Sequence, residues 1–360
     1  MKNLLKSVLA LTTTALVFSA CSEMNSPSSV EADRYEQRAA LYKQGFERLE
    51  TQKQAIKAAM QARISQRTVR LAKANADVQG GKITVPDDYA TIQAAVDAAG
   101  PDTKIKVKSG VYTEVVEVVD KDELEITAEG AVTVDGGFSL VFSRDIVIEN
   151  FQIIVGQDLF DDDPHPTGIF ALECERIEIR DNSVSNMGVG VFFLATLEGL
   201  IKGNICNDNL VTGFYLNNSR DVDVQENEAG GNDVGILVVS SENCEIAENV
   251  VNENINETSL FDIYRAGIFL VGAANNVFED NTCNDNGAGI LVLYSDNNTI
   301  GSDNVANNND EYGIVLDPDG ASSSNNTIKK NEAMCNGIAD IVNLGSGTGN
   351  EMKKNETGCL

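Results

Sequence analysis

The chain has 360 residues, 42% hydrophobic, 23% charged and 6% aromatic, a composition that folds and does not remain disordered. Its 27 Lys and Arg stand against 55 Asp and Glu, a net charge of −28, with a single His and no Trp. That balance excludes nucleic acid as a partner, weighs against unaided binding of polyanionic glycans and leaves little room for imidazole metal sites.

Residues 1–20 read as an export signal. Lys2 and Lys6 flank a short basic region, and Val8 to Phe18 form an apolar run too short to cross a bilayer. The run ends in Phe18-Ser19-Ala20-Cys21, which resembles the lipobox of bacterial lipoproteins with Phe18 where Leu is more usual. The resemblance implies that Cys21 becomes the lipidated first residue of the mature chain. Ser22 after it implies an outer-membrane anchor, in an oxidising compartment. Residues 21–30 are polar, contain Pro27 and read as a tether.

Residues 31–77 are predicted to form an amphipathic basic helix. Apolar residues recur at Tyr35, Ala39, Tyr42, Phe46, Leu49, Ile56, Met60 and Ile64, in steps of three, four or seven. Residues 1–77 carry 12 basic and 7 acidic groups, net +5, whereas residues 78–360 carry 15 and 48, net −33. A basic helix beside so acidic a body is expected to dock on that body, to pair with another copy, or to act as a stalk above the membrane.

Residues 83–360 are governed by a repeat. A Gly followed by an apolar residue recurs at Gly168, Gly190, Gly213, Gly235, Gly267, Gly289, Gly313 and Gly337. An Asn ladder runs through Asn182, Asn204, Asn227, Asn249, Asn281, Asn304, Asn331 and Asn355. Two short β-like runs per repeat cannot bury their apolar faces alone, but stacked coils cover one another. Asn and Gly tolerate the left-handed backbone of tight corners, and stacked amides can bond along the ladder, so these Asn are expected to be structural.

This pattern resembles the right-handed parallel β-helix repeats of the pectate-lyase-like superfamily, including its carbohydrate-binding and sugar-hydrolase members. The opening Ile83-Thr-Val-Pro-Asp-Asp-Tyr-Ala-Thr-Ile-Gln-Ala-Ala-Val-Asp, then Lys106-Val-Lys-Ser-Gly-Val-Tyr-Thr-Glu, belongs to the same likeness. It implies an all-β single-stranded solenoid of about ten coils, with a short helix over Tyr89–Ala99 capping the first coil. Cys206 and Cys283 lie two residues after a ladder Asn and are expected in the core. Cys335 and Cys359 each lie four after theirs, 24 residues apart in adjacent coils, about 5 Å between Cα atoms, and are expected to form a disulfide.

Candidate chemistry falls in two places. From Asn150 to Gly168 and from Asn249 to Gly267 there are 18 residues where eight or nine are usual, so two insertions leave the solenoid at one corner, about 19 Å apart. Asp163-Pro164-His165-Pro166 resembles the Asp-Pro-His-Asp/Glu motif of alginate C5-epimerases, with Pro166 in place of the final acid. The resemblance implies acid/base roles for His165 and Asp163, with Tyr264 as second proton carrier and Arg265 neutralising a substrate carboxylate. Asp158, Asp161, Asp162 and Asp163 could instead hold Ca²⁺ through hard oxygen ligands, or form a solvated loop. Copper delivery, known for one β-helix relative, lacks a Met/His/Cys cluster. The second place is the strand after each Gly. If Ile169, Val191, Phe214, Ile236 and Ile268 point inward, then Phe170, Phe192, Tyr215, Leu237 and Phe269 point outward, either to stack on sugar rings or to lie under the helix.

The reading that unites these features is an outer-membrane lipoprotein whose β-helix binds a polysaccharide or a surface protein. The alternatives are a uronate lyase or C5-epimerase, and a structural spacer or adhesin.

Overall fold

The computed structural model describes residues 80–156, 166–255, 265–318 and 320–359. It is a parallel β-solenoid. The longer sheet has twelve strands in succession, from Lys82–Val85 to Glu351–Lys353, two more coils than the repeat count suggested. The shorter sheet has ten strands, from Val115–Val119 to Ala339–Asn343, and every pairing in both sheets is parallel. The capping helix, expected over Tyr89–Ala99, spans Ile92–Ala98. Thr91 caps it by accepting from the Ala94 amide at 3.1 Å, and Ile92, Ala95 and Val96 are buried over the first coil.

The repeat is visible as register. Val191 pairs with Ile169 and Phe214, Ile236 with Ile268, and Ile290 with Ile314, so the residue after each repeat Gly forms one inward column. The Gly itself also faces the core. A Cβ on Gly190 would stand 2.5 Å from the Gly213 carbonyl oxygen and 2.9 Å from Cys206 Sγ, so close packing of neighbouring coils demands glycine there.

Stacked amides close the corners. Asn204 accepts on Oδ1 from both N and Nδ2 of Asn182, each at 3.0 Å. The same pattern runs through Asn227, Asn249, Asn281 and Asn304, and Asn304, Asn331 and Asn355 continue it. Each Nδ2 also donates to a backbone carbonyl one coil back, as from Asn227 to Ile201 at 2.9 Å. From Asn182 to Asn331 these side chains are buried and paired, which is how a polar group survives inside a corner. The left-handed backbone is not theirs, however. It belongs to the residue before: Asp181, Gly203, Glu226, Glu248, Asp280 and Asp303 have positive φ, and the ladder Asn do not.

A second ladder, Asn209–Asn232–Asn254–Asn286–Asn309–Asn336, closes another corner in the same manner. A third, Asn276–Asn298–Asn326–Asn350, begins where Cys244 N donates to Asn276 Oδ1. A disulfide joins Cys335 to Cys359 across adjacent coils, with Cα atoms 4.8 Å apart.

Replacing one ladder amide strips partners from three buried groups. In Asn249→Ala, Asn227 N and Nδ2 lose their acceptor and the Val224 carbonyl loses its donor. At about 1–3 kcal/mol per buried unsatisfied group, the expected loss is about 3 kcal/mol or more. Urea denaturation should show it beside an exposed control, Glu245→Ala, which should shift stability by less than about 0.5 kcal/mol.

Candidate functional site

The two sheets differ in what their outer faces meet. The longer sheet alternates buried and part-exposed residues, as in Glu175–Arg180 and Leu197–Lys202. The middle of the shorter sheet is buried on both faces: all six residues of Thr167–Leu172, Val189–Leu194, Thr212–Asn217 and Ala266–Val271 are buried. Ile169, Val191, Phe214 and Ile268 belong to the core inside the coils, and Phe170, Phe192, Tyr215 and Phe269 to a second apolar cluster on the outer face. The predicted inward and outward assignment therefore matches this placement.

The outer rings form a stack along the coils. Phe170 and Phe192 lie 5.3 Å apart and tilted, and Phe192 and Tyr215 lie 4.4 Å apart and parallel within 4°. The Tyr215 hydroxyl accepts from Asn217 Nδ2 at 2.8 Å, and burial pushes its phenol well above the usual range. Phe170 and Phe192 are 0% exposed, Tyr215 3% and Phe269 2%. Rings so enclosed present no face to a sugar, so the expected stacking against a polysaccharide corrects to buried packing. A glycan could reach them only after whatever lies above was displaced.

An open concavity lies at the next corner. Ala195, Asn218 and Ser240 occupy equivalent positions in three successive coils, all with positive φ, and turn the chain out of the shorter sheet. Behind them the hydroxyls of Ser219 and Ser241 accept from the amides of Thr196 and Ser219 at 3.2 and 3.0 Å, fixing the corner from within. In front, Leu197, Arg220 and Glu242 project outward, with Arg220 Nη2 paired to Glu242. Together these residues line a shallow groove of about 280 Å³. Two coils further along the corner Tyr294 is 41% exposed, and its amide donates to Asp317 Oδ1 at 3.3 Å. Asp317 also accepts from Ser323 N and Oγ, both at 2.7 Å, and burial raises its carboxyl. Asn218 and Arg220 in one coil and Ser240 and Glu242 in the next thus set amide, guanidinium, hydroxyl and carboxylate along one corner, with the Tyr294 phenol two coils further, a set able to bond hydroxyls of an extended polymer.

His165, Asp163 and Tyr264 lie outside the described residues, as do Asp158, Asp161 and Asp162, Cys21, and the predicted helix 31–77. Arg265 is exposed directly before Ala266–Val271. The insertions end on strands Thr167–Leu172 and Ala266–Val271, four pairing steps apart, about 19 Å at strand spacing. Of the four proposed catalytic residues, Arg265 alone lies among the described residues. The corner groove was not foreseen. Its signal was the recurrence of polar residues at Asn218 and Ser240, one position before the hydroxyls of Ser219 and Ser241.

Fold and groove together define a right-handed parallel β-helix. The chain belongs to the NosD family: the family model described as periplasmic copper-binding protein (NosD) matches residues 101–263 and 251–359. Among solved structures, a point mutant of the periplasmic alginate epimerase AlgG is similar at 15% identity and TM-score 0.50, over 78% of this chain and 83% of that one. The Dettilon tailspike protein gp208 is similar at 13% identity and TM-score 0.50, over 78% and 68%. The Azotobacter vinelandii mannuronan C-5 epimerase AlgE4 A-module is similar at 19% identity and TM-score 0.48, over 79% and 96%. No curated protein matches the chain. These likenesses are likenesses of fold.

Copper needs thiolate, thioether or imidazole ligands gathered at one point. Among the described residues no three His, Cys, Asp or Glu are so placed. Cys174, Cys206, Cys244 and Cys283 are buried in the solenoid, with burial pushing the Cys174 and Cys244 thiols up to about 12, and Cys335 and Cys359 are bonded to each other. The described thiols and carboxylates do not fit copper.

The same burial makes the thiols inert. In a Cys21→Ser form at pH 8, native protein should react with almost no thiol reagent. Unfolding without reductant should release four thiols, and reduction should bring the count to six. Six before reduction would contradict the disulfide, and rapid native labelling would contradict the buried thiols.

Proposed function

We propose that this chain is a cell-envelope protein whose solenoid binds a polysaccharide along the corner formed by Ala195, Asn218, Arg220, Ser240 and Glu242. The observation that supports this reading is the open groove of about 280 Å³, in which two adjacent coils present polar groups on a rigid frame. The charge of −33 over residues 78–360 favours a neutral glycan over a uronate polymer. The family description places its members in the periplasm, in keeping with an exported chain. A copper role would have to rest on residues outside the described ones, where His165 lies.

The second reading is a lyase or C5-epimerase acting on a uronate polymer through His165, Asp163, Tyr264 and Arg265, with Ca²⁺ at Asp158, Asp161, Asp162 and Asp163 offsetting the repulsion. The two insertions of equal length at one corner favour it. Lipidation of Cys21 would hold the protein in the outer membrane.

Both readings meet in one panel. Purified Cys21→Ser protein is titrated with neutral glycans, alginate and pectate, with and without Ca²⁺, while products are followed. Binding of a neutral glycan should weaken about 10-fold or more in the Asn218→Ala/Arg220→Ala double variant, given about 1.5–3 kcal/mol for a hydrogen bond to a charged group. Unchanged affinity in that variant, or no glycan bound, overturns the groove as the site. Turnover of alginate that is lost in His165→Ala establishes the second reading instead. Separately, wild-type protein made with its signal should partition into detergent, and the Cys21→Ser form should stay in the aqueous phase.

A further inference from the structure

The outer face of the shorter sheet is buried within a single chain along its middle strands, from Thr167–Leu172 to Tyr312–Leu316. Phe170, Phe192, Tyr215, Phe269, Leu291 and Val315 stand in one outward column, each 3% exposed or less. Side chains on one face of a sheet shield each other's flanks and leave their tips to the medium, so this burial requires atoms above the column. The ten strands span about 43 Å at the usual strand spacing. The undescribed segments 157–165 and 256–264 have nine residues each. Fully extended, such a loop reaches about 15 Å from its base, so neither alone spans a face of this length.

We propose that residues 31–76 form a helical strap docked along this face. As a helix the segment would be about 68 Å long, enough to run over every strand. Its apolar stripe through Tyr35, Tyr42, Phe46, Leu49, Ile56 and Ile64 supplies a partner for the aromatic column. Its charge complements the body it would lie on. Residues 51–76 hold six Lys and Arg and no Asp or Glu, against −33 over residues 78–360. An acidic residue also stands on the face itself, Glu117 in the outward column. The tether 21–30 precedes the strap, so docking would also bring the membrane-anchoring end of the chain onto the side of the solenoid.

The test uses the full chain. A photo-crosslinking amino acid replaces Leu237, a half-buried member of the same column, and adducts of the irradiated protein are mapped by mass spectrometry. The expected adduct joins Leu237's position to a peptide within 31–76 of the same chain. It should fall at least about 10-fold when Tyr42, Phe46 and Leu49 are changed to Asp, with a parallel rise in apolar dye binding. An adduct between two chains, an adduct to 157–165 or 256–264, or no internal adduct overturns the strap. Glycan binding at the corner groove is measured on the same protein, so failure of the strap and failure of the proposed function are read separately.

Discussion

Every coil of this molecule is tied to the next by buried side-chain amides that extend the backbone ladder through the corners. A solenoid needs such a device because each turn exposes peptide groups to an interior that holds no water. Asn suits the corner because its Oδ1 accepts two bonds from the preceding coil while its Nδ2 donates to a carbonyl, as at Asn249. The cost is that one substitution leaves several groups unsatisfied at once. The gain is a rigid frame in which equivalent residues of successive coils superpose.

That rigidity decides where surface chemistry can appear. With the ladder fixed, the residues before it take up the left-handed turns, and Asp and Glu at those positions point into solvent. Much of the −28 charge is therefore distributed along corners, screened and held apart. Where a corner carries Asn218 and Arg220 in one coil and Ser240 and Glu242 in the next, the same regularity produces a groove. Its floor is held by the Ser219 and Ser241 hydroxyls, so its shape does not depend on an inserted loop.

The membership in a family described as copper-binding and the chemistry of the described residues point apart. Among the described residues, four thiols are enclosed in the core and two are bonded to each other. In an oxidising compartment such burial protects free cysteines, which then serve as small apolar residues. Family membership here carries the coil architecture, and the architecture hosts many functions.

The ladder Asn, the repeat Gly and the Cys335–Cys359 pair were legible because a solenoid writes each contact into a fixed sequence offset. The second ladder was equally written: Asn209, Asn232, Asn254, Asn286, Asn309 and Asn336 each lie five residues after a first-ladder Asn, but Met187 at the head of the series hides it. The order of coils, the inward columns and the split between a basic segment and an acidic body were determined by the sequence alone, since periodicity and charge are properties of the chain. Whether Phe170, Phe192 and Tyr215 are a wall for sugars or packing under a cover was not, because alternation says which way a side chain points and not what it meets. Burial is decided by a contact between segments far apart in sequence, and only the tertiary structure records it.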